Sequence, residues 1–82
     1  MSKERILQKV LSGSRNVRFA DMVTLVQAFG FHLSRTKGSH HIFTHPAIAE
    51  LLNLQNVHGQ AKPYQIKQFL NLVERHNLKW KE

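Results

Sequence analysis

Apolar residues recur along this chain with two different periods, and the change of period divides it. Over residues 2–11, Ile6, Leu7, Val10 and Leu11 fall at the i, i+1, i+4, i+5 spacing of one helical stripe, which predicts a short helix ended by Ser12-Gly13-Ser14. A second stripe of Phe19, Met22, Val23, Val26 and Phe29 predicts a helix over 19–29, with Asp21 in its first turn and Gly30 as its left-handed stop. Ala20 stands where a capping Ser or Asp is expected for that helix.

From Phe31 the period falls to two. Phe31, Leu33 and Arg35 alternate with His32, Ser34 and Thr36, which predicts a strand. Lys37-Gly38-Ser39 reads as a tight turn, and His40-His41-Ile42-Phe43-Thr44 returns antiparallel to the first strand. His45-Pro46 interrupts the ladder because proline has no N–H to donate. A connection over 47–50 then leads to a third strand over 51–56, and 57–61 reads as a loop. Pro63 suits the first position of a last helix. Its buried stripe is Ile66, Phe69, Leu70 and Val73; Gln65, Lys67, Gln68 and Glu74 are expected to point outward, and Asn77 is a candidate cap.

The order is therefore α-α-β-β-β-α, an α+β fold. So small a three-stranded antiparallel sheet carries its helices on one face and leaves the other to water or a ligand. Successive strand residues point to opposite faces. Ile42 has the strongest apolar claim to the core, which assigns His40 to the core side and puts His41 and Phe43 on the open face. Phe43 is then an exposed aromatic beside an ionisable group.

Composition narrows the function. Eighty-two residues provide for one domain, and 41% apolar content supports a packed core rather than disorder. The absence of cysteine removes disulfide frameworks and thiolate zinc sites, and fits a reducing cytoplasm. No apolar run approaches the ~20 residues that span a bilayer, and the first residues do not form a signal-peptide hydrophobic region, so neither membrane insertion nor export is expected. Twelve Lys and Arg against five Asp and Glu give a net charge of +7, which points to a polyanionic partner. Six histidines raise the question of a metal. Neighbouring His40 and His41 point to opposite faces of a strand and no helical His-x-x-x-His pair is present, so neither a metal site nor a cofactor is expected.

The stretch Gly38-Ser39-His40-His41-Ile42-Phe43 resembles the signature hairpin of the HicA toxin family, small messenger-RNA interferases of toxin-antitoxin operons. Leu25-Val26-Gln27-Ala28-Phe29-Gly30-Phe31 resembles that family's helix ending in a Gly-Phe step. Val57-His58-Gly59 with Lys62-Pro63 resembles its link into the last helix, although this link is shorter than in many members. The order of motifs agrees from about Phe19 to Val73, which makes residues 1–82 a single HicA-like domain and residues 1–14 an N-terminal helical extension. The resemblance implies a double-stranded-RNA-binding-like fold and ribonuclease activity centred on the second histidine of Gly-Ser-x-His, here His41. It also implies a type II system with a HicB-type antitoxin as partner.

The residues suit that chemistry. RNA is cleaved without a metal when its own 2′-OH attacks the adjacent phosphate, which needs a base near neutral pH, cations for the phosphorane charge and protonation of the leaving 5′-oxygen. An imidazole serves the first need, and a positioned general base is worth roughly 10²–10⁴ in rate. His41 is the candidate base. Lys37 beside the turn and Lys62 at the start of the last helix are candidate phosphate ligands. Gly38, Ser39 and His58 complete the expected RNA site, with Phe43 stacking a base, and His45 or His58 is the candidate acid. The expected function is a metal-independent endoribonuclease toxin acting on messenger RNA in the cytoplasm. The alternatives are a non-catalytic RNA-binding module using the same basic face, or an interaction domain that binds the antitoxin.

Overall fold

The computed structural model describes residues 2–80; Met1, at the head of the expected N-terminal extension, lies outside them. Among these residues the elements are α1 (Lys3–Leu11), α2 (Phe19–Ala28), β1 (His32–Lys37), β2 (His40–His45), β3 (Ile48–Val57), β4 (Gln60–Ala61) and α3 (Pro63–Arg75). None of the helices is long and apolar enough to cross a membrane.

The helix ends follow from local chemistry. At the start of α1 the Ser2 hydroxyl accepts the Arg5 N–H at 3.3 Å. The start of α2 differs from expectation: its N-cap is Arg18, which makes no side-chain cap, and Ala20 lies inside the first turn. The Phe19 N–H instead donates to the Gly59 carbonyl at 2.8 Å, so a distant turn does the work of a cap. Gly30 closes α2 with φ 95°, its N–H bonded to Gln27 and that of Phe31 to Val26. Asn77, the expected cap, closes α3 in the same manner with φ 51° and the Leu78 N–H on Val73.

The sheet is antiparallel in the order β1-β2-β3-β4, four strands where three were expected. The extra strand lies within the expected 57–61 loop. His58 (φ 53°) and Gly59 (φ 82°) form a two-residue turn of the type I′ kind, pairing Val57 with Gln60 and Asn56 with Ala61. Two residues are too few to display a period, so the strand left no pattern in the sequence. Residues 48–50, expected in a connection, belong to β3, because Pro46-Ala47 alone turn the chain between the paired His45 and Ile48.

The structure reverses the expected faces of β2. Phe43 is fully buried, whereas Ile42 is only partly buried and His40 is exposed. Cross-strand register is the reason. Phe43 pairs with Leu52 and His41 with Leu54, while Ile42 pairs with Asn53 and His40 with Gln55. Burying Ile42 would drag two amides into the core; burying Phe43 takes two leucines with it. Leu52, Leu54 and Phe43 pack with Met22, Leu25 and Val26 of α2 and Ile66, Phe69 and Leu72 of α3, and Ile6 and Val10 of α1 join the same cluster. Each such side chain stabilises by roughly 1.5–3 kcal/mol on full burial. The opposite face carries Ile42, Leu51, Asn53 and Gln55 without a covering helix. A bulge between Leu33 and Arg35 shifts the phase of β1, so that Leu33 stands opposite Phe43 but Arg35 stands opposite Ile42.

A second correction concerns Gln65, expected outside and found 2% exposed. Because β4 is short, the Gln55 N–H has no strand neighbour on that side, and the Gln65 amide oxygen accepts it at 2.7 Å. The side chain replaces a missing ladder bond.

Candidate functional site

His41 sits on the helix-bearing face at the hairpin end of β2, partly buried, with Thr36 and Leu54 as cross-strand neighbours. Its ring packs on Phe19, the first residue of α2, with centroids 4.7 Å apart and planes tilted by 55°. Its Nδ1 lies 3.2 Å from the Ser39 carbonyl oxygen. A carbonyl only accepts, so Nδ1 carries the proton, and in the neutral imidazole Nε2 keeps the free lone pair. The site therefore presents an oriented imidazole at the edge of the core rather than on the open sheet face.

Three elements meet around it. The β1–β2 turn supplies Gly38, with φ 58° at the first central position, and Ser39. The Ser39 carbonyl also accepts the Asn56 N–H at 2.9 Å, and the Ser39 hydroxyl accepts from the Gln55 amide at 3.3 Å. The β3–β4 turn, carrying exposed His58, is bound to α2 through the Phe19–Gly59 hydrogen bond. The start of α2 brings Phe19, exposed Arg18 and the positive end of a helix dipole.

The other expected site residues divide. Lys37 is exposed and pairs with His40, so it shares the hairpin with His41 but projects from the opposite face. Lys62 is the N-cap residue of α3, with its ammonium 5.7 Å from the centroid of the Tyr64 ring. One register step beyond Asn56–Ala61 sets Lys62 level with Gln55 and His40, roughly 10 Å across the sheet from β2 at two strand spacings. Phe43 is withdrawn from the site: a ring buried in the core cannot stack a base, and that expectation is corrected. Tyr64, 60% exposed, is an accessible aromatic beside Lys62.

His45 is likewise reassigned. Its Nε2–H donates to the Phe29 carbonyl at 3.0 Å and its Nδ1 accepts the Ala47 N–H at 3.0 Å, while its ring stands edge-on to Phe31. Both nitrogens are engaged in holding the β2–β3 turn against the end of α2. Four residues along β2, about 13 Å, separate it from His41. His58 is left as the candidate acid. Among the described residues no three His, Asp or Glu side chains are grouped as metal ligands.

Arg18, Asn56 and Tyr64 were not among the expected site residues, and the helical stripe assigns Phe19 to the core alone. Arg18 just ahead of a helix and Asn56 three residues before Gly59 were visible signals; that the β3–β4 turn joins the start of α2 to Asn56 depends on the tertiary fold.

The site is thus one oriented imidazole at the meeting of two tight turns and a helix start within a small α+β fold. Residues 19–74 match the family model described as HicA toxin of bacterial toxin-antitoxin, from the first residue of α2 almost to the end of α3. The chain belongs to the HicA toxin family, whose members pair with an antitoxin and are associated with RNA cleavage. No curated protein and no solved structure matches it. Helix α1 lies wholly outside the matched residues.

Proposed function

We propose that the chain is a messenger-RNA-cleaving toxin in which His41 Nε2 is the general base. The observation that carries this reading is the Nδ1–H bond to Ser39, which leaves Nε2 as the lone-pair nitrogen within a Gly-Ser-His-His hairpin. His41 Nε2 removes the 2′-hydroxyl proton, the 2′-oxygen bonds to the adjacent phosphorus, and the P–O5′ bond breaks. His58 protonates the departing 5′-oxygen. The products are a 2′,3′-cyclic phosphate and a 5′-hydroxyl, and no metal enters the step. Arg18 and the start of α2 offset the charge on the phosphorane, while Lys62, Tyr64 and Lys37 hold flanking RNA.

The path from α2 through an antiparallel sheet of three long strands and the two-residue β4 to α3, with both helices on one face, supports a double-stranded-RNA-binding-like reading of the fold. The partner in this reading is a HicB-type antitoxin in the cytoplasm, which silences the toxin by covering the end of the sheet around His41 rather than the open face.

The test is cleavage of a defined RNA in EDTA, with product ends identified by mass spectrometry. A 2′-deoxy substitution at the cleaved position should abolish the reaction. Cleavage that disappears with EDTA, or that proceeds through the deoxy position, refutes the mechanism. RNA binding without cleavage would favour a non-catalytic binding module, and loss of both would leave an antitoxin-binding interaction domain.

A further inference from the structure

The hydrogen bonds around His41 close on themselves. The Phe19 N–H donates to Gly59 at 2.8 Å, the Gly59 N–H donates to the Asn56 side-chain oxygen at 2.7 Å, and the Asn56 N–H donates to Ser39 at 2.9 Å. The same Ser39 carbonyl takes the His41 Nδ1–H at 3.2 Å, and the His41 ring returns to Phe19 at 4.7 Å. Asn56 bridges the two turns of this circuit, by its backbone N–H toward the hairpin and by its side-chain oxygen toward the turn that holds α2.

We propose that Asn56 is a positioning residue for His41. Its backbone N–H aims the Ser39 carbonyl, and its amide oxygen fixes the Gly59 turn that places Phe19 against the imidazole. The hydrogen bond of the His41 ring thus leans on the Asn56 backbone, and its aromatic contact on the exposed Asn56 side chain, through the Gly59 turn on the neighbouring strand. The bond to Gly59 is made by the asparagine side chain, whereas the backbone bond to Ser39 belongs to the strand at this position. The bond to Ser39 joins that turn to the base, so a loosened β3–β4 turn releases the Nδ1–H orientation and lets the ring sample its other tautomer and rotamers. Misplacing a reacting group by about 1 Å costs up to about a hundredfold in rate.

This inference rests on the proposed role of His41 for its kinetic part only; the state of the imidazole is read separately. Nitrogen-15 correlation spectra of the His41 ring at a pH where it is neutral should show the Nδ1–H tautomer in the wild type. Asn56→Ala should give a mixture of tautomers, whereas Asn56→Asp, which keeps an acceptor for the Gly59 N–H, should retain the wild-type pattern. At saturating RNA, Asn56→Ala should lose about tenfold or more in kcat with a smaller change in KM, and Asn56→Asp should recover kcat. An unchanged tautomer in a folded Asn56→Ala protein overturns the proposal, as does an Nε2–H tautomer in the wild type. A lowered melting temperature with both tautomer and kcat intact makes Asn56 a turn former only, and overturns it too. A wild type that cleaves no RNA refutes the general-base reading, while the imidazole spectra still decide the positioning role.

Discussion

Replacing His41 by Ala tests the site against the fold at once, because the two losses differ greatly in size. Truncation removes one hydrogen bond, worth about 0.5–1.5 kcal/mol, and one aromatic contact of about 0.5–1.5 kcal/mol. The stability cost is therefore about 1–3 kcal/mol. A chain of this length has roughly 4–12 kcal/mol in total, so even the least favourable combination leaves about 1 kcal/mol and roughly five molecules in six folded at 25 °C. Unfolding can reduce activity less than twofold, whereas loss of a general base removes roughly 10²–10⁴. His40→Ala is the control. His40 is exposed and its ring makes an exposed hydrogen bond with Asn53, at 3.2 Å, so its removal should cost under about 0.5 kcal/mol and leave turnover unchanged. The assay is single-turnover cleavage of a defined RNA beside urea unfolding of the three proteins. Cleavage by a folded His41→Ala protein within a few-fold of wild type refutes the base assignment. A His40→Ala protein as unstable as His41→Ala would refute the face assignment.

Other outcomes follow from the same geometry. Phe43→Ala should cost about 3–5 kcal/mol in urea unfolding, the price of a core cavity rather than of a lost stacking platform. His45→Ala should lower stability by about 1–3 kcal/mol, leaving an unpaired Phe29 carbonyl, yet keep kcat once corrected for the folded fraction. Gln65→Leu should destabilise by a similar ~1–3 kcal/mol because it strands the Gln55 N–H, and amide exchange at Gln55 should rise. RNA affinity should fall linearly in log–log plots against salt, and Lys62→Ala should reduce the slope by about one; a slope near zero would remove the electrostatic part of the binding argument.

Much of the architecture is legible in the residues themselves. The stripes of α1, α2 and α3, the Gly30 stop, the Gly38-Ser39 turn and the Asn77 cap all arise from interactions within a few residues, and local sequence contains everything they require. The family, too, is legible in short motifs, and the match over residues 19–74 bears it out. What local sequence leaves open is which neighbour each strand meets. To a reader of β2 alone Ile42 has the stronger claim to the core over its neighbour Phe43, and only their pairing with Asn53 and Leu52 shows which one enters it. Because side chains alternate, that single choice also moves His41 from the open face to the helix side and sends Lys37 to the other. The two-residue β4, the inward Gln65 and the cap that Gly59 provides for α2 have the same origin: each answers a backbone group left unpaired by a distant segment. The chain's local chemistry determined its helices and its first hairpin, and the family motif singled out His41, whereas long-range register, driven by burial of leucine over amide, decided on which side of the sheet that imidazole stands.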